Sequence, residues 1–175
     1  PHAVLPEYEY SLWIDGNVDI CSMDLYERLE QMIGQGVLYG GLQHPLRDDI
    51  YEESVQIVKN ERETLWRAIR MCAFLTKEGM PRDWGLYENN VILRKHNDQA
   101  VIAFDNLWWS LFSKSSRRDQ LSLSYCMWKS GLKHELILQD GKCARDSEEF
   151  GYSVHDKPYV KDLSFTGRVK DAVRA

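Results

Sequence analysis

Asp15 leaves the aromatic run "YEYSLWIDGN" with a glycine and a second oxygen-bearing side chain, Asn17, directly behind it. The stretch from Tyr8 to Ile14 is interrupted only by Glu9 and Ser11, the pattern of a strand buried on both faces. Asp15 then stands at a strand's carboxyl end, where open α/β sheets take their ligands. Asp, Gly and Asn are equally the residues a plain turn selects, and spacing leaves both readings open. A second group lies in "SSRRDQLS". Arg117 and Arg118 at a helix start can meet a phosphate or a sugar acid with paired N–H donors and helix amide ends. The same residues also suit a capped helix with an ordinary ion pair. Trp108 and Trp109 offer apolar planes that match a sugar ring. Helix neighbours point about 100° apart, so at most one of them is expected in a site, and core packing accounts for either.

These groups need elements to hold them. After the first strand, Ser22 can cap a helix running to about Gln35, with Leu25, Leu29, Met32 and Ile33 on one face and Gly34 and Gly36 ending it. Val37 to Leu42 reads as a short strand. A long helical region is expected from about Ile50 to Lys77, where Leu65, Ile69, Cys72 and Leu75 or Thr76 recur at helical spacing until Gly79 and Pro81 stop it. "YENNVILRKH" reads as a strand, on which Arg94 and His96 alternate to one face. "VIAFDNLWWSLFSK" and "RRDQLSLSYCMWKSG" read as helices parted by the serines around Ser115. The alternation is α/β, with residues 1–160 as the domain and 161–175 as a polar tail.

Composition narrows the classes. A 175-residue chain that is 43% hydrophobic and 28% charged suits one globular domain and argues against disorder. A net charge of −5 gives no footprint for a nucleic-acid backbone. A phosphate-bearing ligand would therefore need local Arg, Lys or metal. Four scattered cysteines without a CxxC pair suggest neither a zinc site nor a disulfide framework. They read as reduced thiols of a cytoplasmic protein. No apolar run approaches the roughly 18 residues of a membrane span.

Taken together, "WIDGN", "HPLRDDIYEE", "GLYENNVILRKH", "WW" and "SRRDQLS" resemble a family of glycosyltransferase-like domains, in an order that extends from about His2 to Lys129. Members occur in bacterial polysaccharide-type settings and among plant Golgi proteins linked to cell-wall and mucilage polymers. The resemblance implies a glycosyltransferase-A-like mixed sheet flanked by helices, of which this chain is the C-terminal portion, lacking a first α/β half with the nucleotide-base pocket. It implies that Asp15 and Asn17 hold a divalent cation, Mn²⁺ or Mg²⁺, against a donor diphosphate, with Asn17 in place of the commoner second Asp. His155 in "VHDKPY" is a further metal-ligand candidate. Asp119 and Gln120 match a pair that fixes donor-sugar hydroxyls. Arg47, Arg117 and Arg118 become anion contacts and His44 a pocket wall. Glu88, Asn89 and Arg94 become substrate contacts, and Trp109 the stacking indole.

The expected function is metal-assisted transfer of a sugar from a nucleotide-sugar donor to a glycan or related acceptor. If configuration inverts, Glu52 or Glu88 would take the acceptor proton; if it is retained, no base is needed. A catalytically silent glycan- or partner-binding module is the main alternative. A metal-dependent hydrolase of phosphate esters ranks last, because the paired Asp and His clusters of two-metal sites are missing. The first strand is also expected to leave an uncovered sheet edge through which chains associate.

Overall fold

The protein is described by a computed structural model covering residues 1–114, 118–138 and 142–153. Its elements in chain order are β1 (Ser11–Ile14), β2 (Val18–Ile20), α1 (Asp24–Gly34), β3 (Tyr39–Gln43), α2 (Ile50–Lys59), α3 (Leu65–Glu78), β4 (Tyr87–Arg94), α4 (Gln99–Lys114), α5 (Gln120–Ser130), β5 (Glu135–Leu136) and β6 (Phe150–Tyr152). The main sheet has the order β1-β4-β3-β5, and β2 and β6 form a separate ribbon. Both neighbours of β4 run antiparallel to it, while β5 joins β3 in parallel. The α/β class with a mixed sheet and flanking helices is therefore as expected.

Two cores lie on the two faces of this sheet. On one, Tyr39 and Ile92 pack with Leu75, Phe104, Leu121 and Met127 from α3, α4 and α5. On the other, Leu42, Val91 and Leu93 meet Leu25, Leu29 and Met32 of α1. The α1 periodicity thus buries the face that its spacing marks, and Ser22 Oγ accepts from Asp24 N at 3.1 Å as its first turn forms.

Three expectations change. The opening strand is only Ser11–Ile14, although it is a sheet edge as expected, paired on one side by β4. Its apolar run is not buried on both faces: Leu12 and Ile14 pack against the α1-side core, whereas Trp13 is 54% exposed. The helix expected over Ile50 to Lys77 is two helices. α2 ends at Lys59, Glu61 takes a left-handed φ of 54°, and Thr64 Oγ1 then caps α3 by accepting from Arg67 N. "NERET" is therefore a break with its own cap, which the continuing apolar spacing conceals. The strands β2, β5 and β6 are too short to leave a periodic signal.

β4 carries an irregularity that matters later. Gly41 of β3 faces Ile92, but the next residue, Leu42, faces Glu88, so Asn89 to Val91 bulge from this ladder. β1 follows the bulged segment without interruption, pairing Ile14 with Val91 and donating Asp15 N to Asn90 O at 2.8 Å. Such a bulge shifts which side chains share a face. Gly41 also makes room for His134: a Cβ at position 41 would lie 2.7 Å from its Nε2. The imidazole stacks on Tyr87, with ring centroids 3.7 Å apart, and neither of its nitrogens has a hydrogen-bond partner among the described residues.

Burial pushes His134 down from 6.5 to about 4. The unfolded chain takes up this proton below pH 6.5 while the folded chain refuses it until about pH 4. Stability is therefore full above the unfolded value and falls as pH drops through that window, by about 3 kcal/mol at its end. His134→Phe keeps an aromatic ring and removes the titration. Urea midpoints measured between pH 7 and 4 should decline less steeply in the variant than in the parent, and equal slopes would show that His134 does not set the acid limit.

Candidate active site

Asp15 directly follows β1. Its backbone carbonyl accepts from Val18 N at 3.0 Å, closing the turn into β2 as the turn reading of "DGN" expects. Trp13 Nε1 donates to Asp15 Oδ1 at 3.1 Å and fixes the carboxylate. Gly16 has no positive φ, and a Cβ there would meet nothing within 4 Å, so neither backbone conformation nor packing demands glycine.

Asp15 opens into a cavity of about 630 Å³ bounded by the N-terminal residues, β1, β4, α4 and the start of α5. This lies within the roughly 300–1,000 Å³ of typical ligand sites. β4 contributes Asn89, Ile92 and Arg94. Asn89 and Ile92 are three positions apart, which regular alternation would set on opposite faces; the bulge brings them together. α4 contributes Asp105, Trp108, Trp109 and Phe112, the i, i+3, i+4, i+7 stripe of one helix face.

Arg94 Nη1 donates to Asp105 Oδ1 at 2.9 Å, with the two side chains only 12% and 8% exposed. Asp105 Oδ2, Arg94 Nε and both amide atoms of Asn89 are buried without a partner among the described residues. Buried polar atoms are ordinarily paired; with His2 Nδ1, five unpaired ones on its lining residues leave this cavity with unused hydrogen-bonding groups. Both tryptophans reach the cavity, in different ways. Trp108 packs on the core and donates its indole N–H to Ser122 Oγ at 3.0 Å, while Trp109 is 70% exposed and stacks with Phe112.

Asp119 reaches the cavity as the N-cap of α5, its Oδ1 accepting from Gln120 N at 2.9 Å. Gln120 does not line it; its Nε2 donates to Tyr87 O and ties α5 to β4. Of the residues singled out by sequence, the structure thus brings together Asp15, Asn89, Arg94, Trp109 and Asp119. Arg118 immediately precedes the capping Asp119, and Arg117 and His155 lie outside the described residues. Asn17 is placed in the turn, where its backbone carbonyl accepts from Ser153 N at 2.9 Å.

The remaining candidates gather elsewhere. Arg47 Nε donates to Glu53 Oε2 at 2.6 Å, and His44 Nδ1 accepts from the amides of Leu46 and Arg47. Burial holds His44 below its ordinary range, against the opposing pull of Glu53. Glu88 receives Arg145 Nη1 and Asn90 Nδ2. Glu52 is exposed beside Tyr51 and Arg82, in a groove between α2 and α3. Sequence reasoning missed Trp13, Asp105 and Phe112. The α4 stripe carried a findable signal, since an aspartate in phase with three aromatics is unusual for a face that only packs.

The description "TOD1/MUCI70, glycosyltransferase-like domain" is that of a family whose model matches residues 1–146. The chain belongs to this family. No curated protein and no solved structure matches it. The match of the TOD1/MUCI70 domain spans every element around the cavity, from β1 to α5, and leaves β6 outside. Glycosyltransferase-like function follows at the level of the family, with a sugar donor and an acceptor as its general partners. Among the described residues, no helix is long and apolar enough to cross a membrane.

The Arg94–Asp105 pair is the most exposed to test of these contacts. Removing one partner of a buried pair strands the other charge, at a cost of about 3 to 5 kcal/mol, whereas replacing both is far milder. Arg94→Met should therefore lower the urea midpoint strongly, and adding Asp105→Leu should restore most of the loss. A double variant no more stable than the single one would show that the pair is not a coupled buried unit.

Proposed function

We propose that this domain moves a glycosyl group from a nucleotide-sugar donor to a hydroxyl of a glycan or related acceptor, with a divalent cation held between Asp15 and the donor diphosphate. One observation carries the cation. Among the described lining residues, Asp15, Asp105 and Asp119 confront a single guanidinium, Arg94, which is already paired with Asp105. A diphosphate brought into such a cavity meets repulsion unless a cation accompanies it.

No three His, Cys, Asp or Glu side chains converge on a metal position among the described residues. A hard cation such as Mg²⁺ does not need such a cage: it keeps several waters and takes one or two carboxylates plus substrate phosphate oxygens. Asp15, with its rotamer fixed by Trp13, suits that requirement. When bound, the cation supplies neutralisation of charge gathering on the leaving nucleoside diphosphate.

The transfer breaks the bond from the anomeric carbon to the diphosphate oxygen and forms one to the acceptor oxygen, whose proton must leave. Asp105 is committed to Arg94 and Asp15 to the diphosphate side. Asp119 is then the cavity carboxylate available to hold sugar hydroxyls, or to take the acceptor proton if the anomeric configuration inverts. Glycan binding without transfer is the second reading, supported by the single carboxylate offered at the turn.

Asp15→Ala should lower Mn²⁺-dependent affinity for uridine diphosphate at least about tenfold, the loss of one charge-assisted contact, with a nearly unchanged melting temperature. Calorimetric titration of parent and variant, with and without Mn²⁺, provides the check. Equal metal-dependent affinity in both would remove Asp15 from this role.

A further inference from the structure

The five unpartnered atoms on the cavity's lining residues supply both kinds of hydrogen-bonding group: N–H donors on Asn89 Nδ2 and Arg94 Nε, acceptors on Asn89 Oδ1 and Asp105 Oδ2, and His2 Nδ1, which serves as either according to its tautomer. Left dry and unpaired, such groups destabilise the fold, so their retention points to a ligand that pairs with them. The same cavity holds an apolar platform. Trp109 and Phe112 lie with ring centroids 6.1 Å apart at 29°, and Trp109 is 70% exposed although it belongs to the cavity wall.

A ligand that satisfies both features has an apolar face and a rim of groups that donate and accept. A pyranose ring has this form: its C–H face stacks on an aromatic plane and its hydroxyls do both kinds of hydrogen bonding. Charge then selects among pyranoses. A uronate carboxylate would enter beside Asp105 and Asp119, in a partly buried space where like charges repel more strongly than in water, while the cation proposed at Asp15 is engaged by the diphosphate. Arg94 cannot offset this with a free two-pronged fork, because its Nη1 is held by Asp105.

We infer that the cavity recognises an uncharged pyranose, with Asn89 and the Arg94–Asp105 pair reading its hydroxyls and Trp109 stacking on its face, and that it discriminates against sugar acids. The inference rests on the transfer reading in taking a glycosyl group as ligand; it adds the charge class of the sugar and the residues that read it. The ring can belong to donor or acceptor, since the chemistry presented is the same.

The test is a binding comparison by saturation-transfer NMR, using methyl glucoside against methyl glucuronoside, and UDP-glucose against UDP-glucuronate in the presence of Mg²⁺. The neutral member of a pair should bind at least about tenfold more tightly, the scale of one unpaired buried polar group. Asn89→Ala and Trp109→Ala should each weaken the neutral sugar by a similar factor, and Asn89→Ser serves if the alanine variant fails to fold. Binding of the methyl glycoside alone supports the assignment with the ring in the acceptor. Selectivity confined to the nucleotide-linked pair supports it with the ring in the donor. Equal or tighter binding of the uronates, unchanged affinity in folded Asn89 variants, or no sugar binding at all would overturn it. A protein that binds neutral sugars and transfers none contradicts the proposed reaction and leaves this inference standing; one that transfers glucuronosyl groups does the reverse.

Discussion

β4 must serve two neighbours that ask different things of it. Toward β1 it keeps a regular antiparallel register through Val91 and extends it with the Asp15 N to Asn90 O hydrogen bond. Toward β3 it skips from Ile92 to Glu88. The intervening Asn89 to Val91 are thus paired on one side and released on the other, the condition under which a bulge redirects side chains. Every later feature of the cavity depends on this. The bulge sets Asn89 on the same face as Ile92 and Arg94, while Val91 and Leu93 go to the α1-side core. The β1 pairing across it also fixes the backbone of Asp15 at the cavity rim.

The helical side is built to complement that strand. Gln120 Nε2 binds Tyr87 O just before the bulge, so the start of α5 is anchored to β4 and its capping Asp119 is brought to the cavity. The Arg94–Asp105 pair performs the same service for α4. A buried ion pair of this kind adds little net stability against an apolar alternative. Its unpaired Nε and Oδ2 make better sense as groups held in place for a ligand than as cement. Away from the cavity, Glu88 is bound by Arg145 and Glu53 by Arg47, and there the charges satisfy one another.

Sequence alone reached the class of the fold, the family and five of the fifteen residues that line the cavity. Asp15 was legible because a carboxylate following an apolar run marks a strand end. β4 was legible because it holds the compact apolar run Val91 to Leu93, with two β-branched residues, after the Gly79 and Pro81 stop. The bulge was not, since Asn89 and Asn90 carry no sign of which ladder will be broken; that is decided by two partners distant in sequence. Asp105 was legible in principle, in phase with Trp108, Trp109 and Phe112, but was passed over because those aromatics read as core. Glu88 neighbours Asn89 in sequence but turns away from it, because a period-two strand separates neighbours, and His44, Arg47 and Glu52 lie in and just before α2, outside the cavity lining.

The central claim is that ligand enters between β1, β4 and α4. The most direct measurement follows the side-chain N–H signals of Trp13, Trp109 and Asn89 by NMR as UDP-glucose and Mg²⁺ are added to isotope-labelled protein, with the indoles of Trp66 and Trp84 as controls outside the cavity lining. The account predicts that the cavity signals shift together and saturate while the control indoles stay in place. Saturating shifts at Trp66, Trp84 or His44, with Trp109 and Asn89 unmoved, would contradict it.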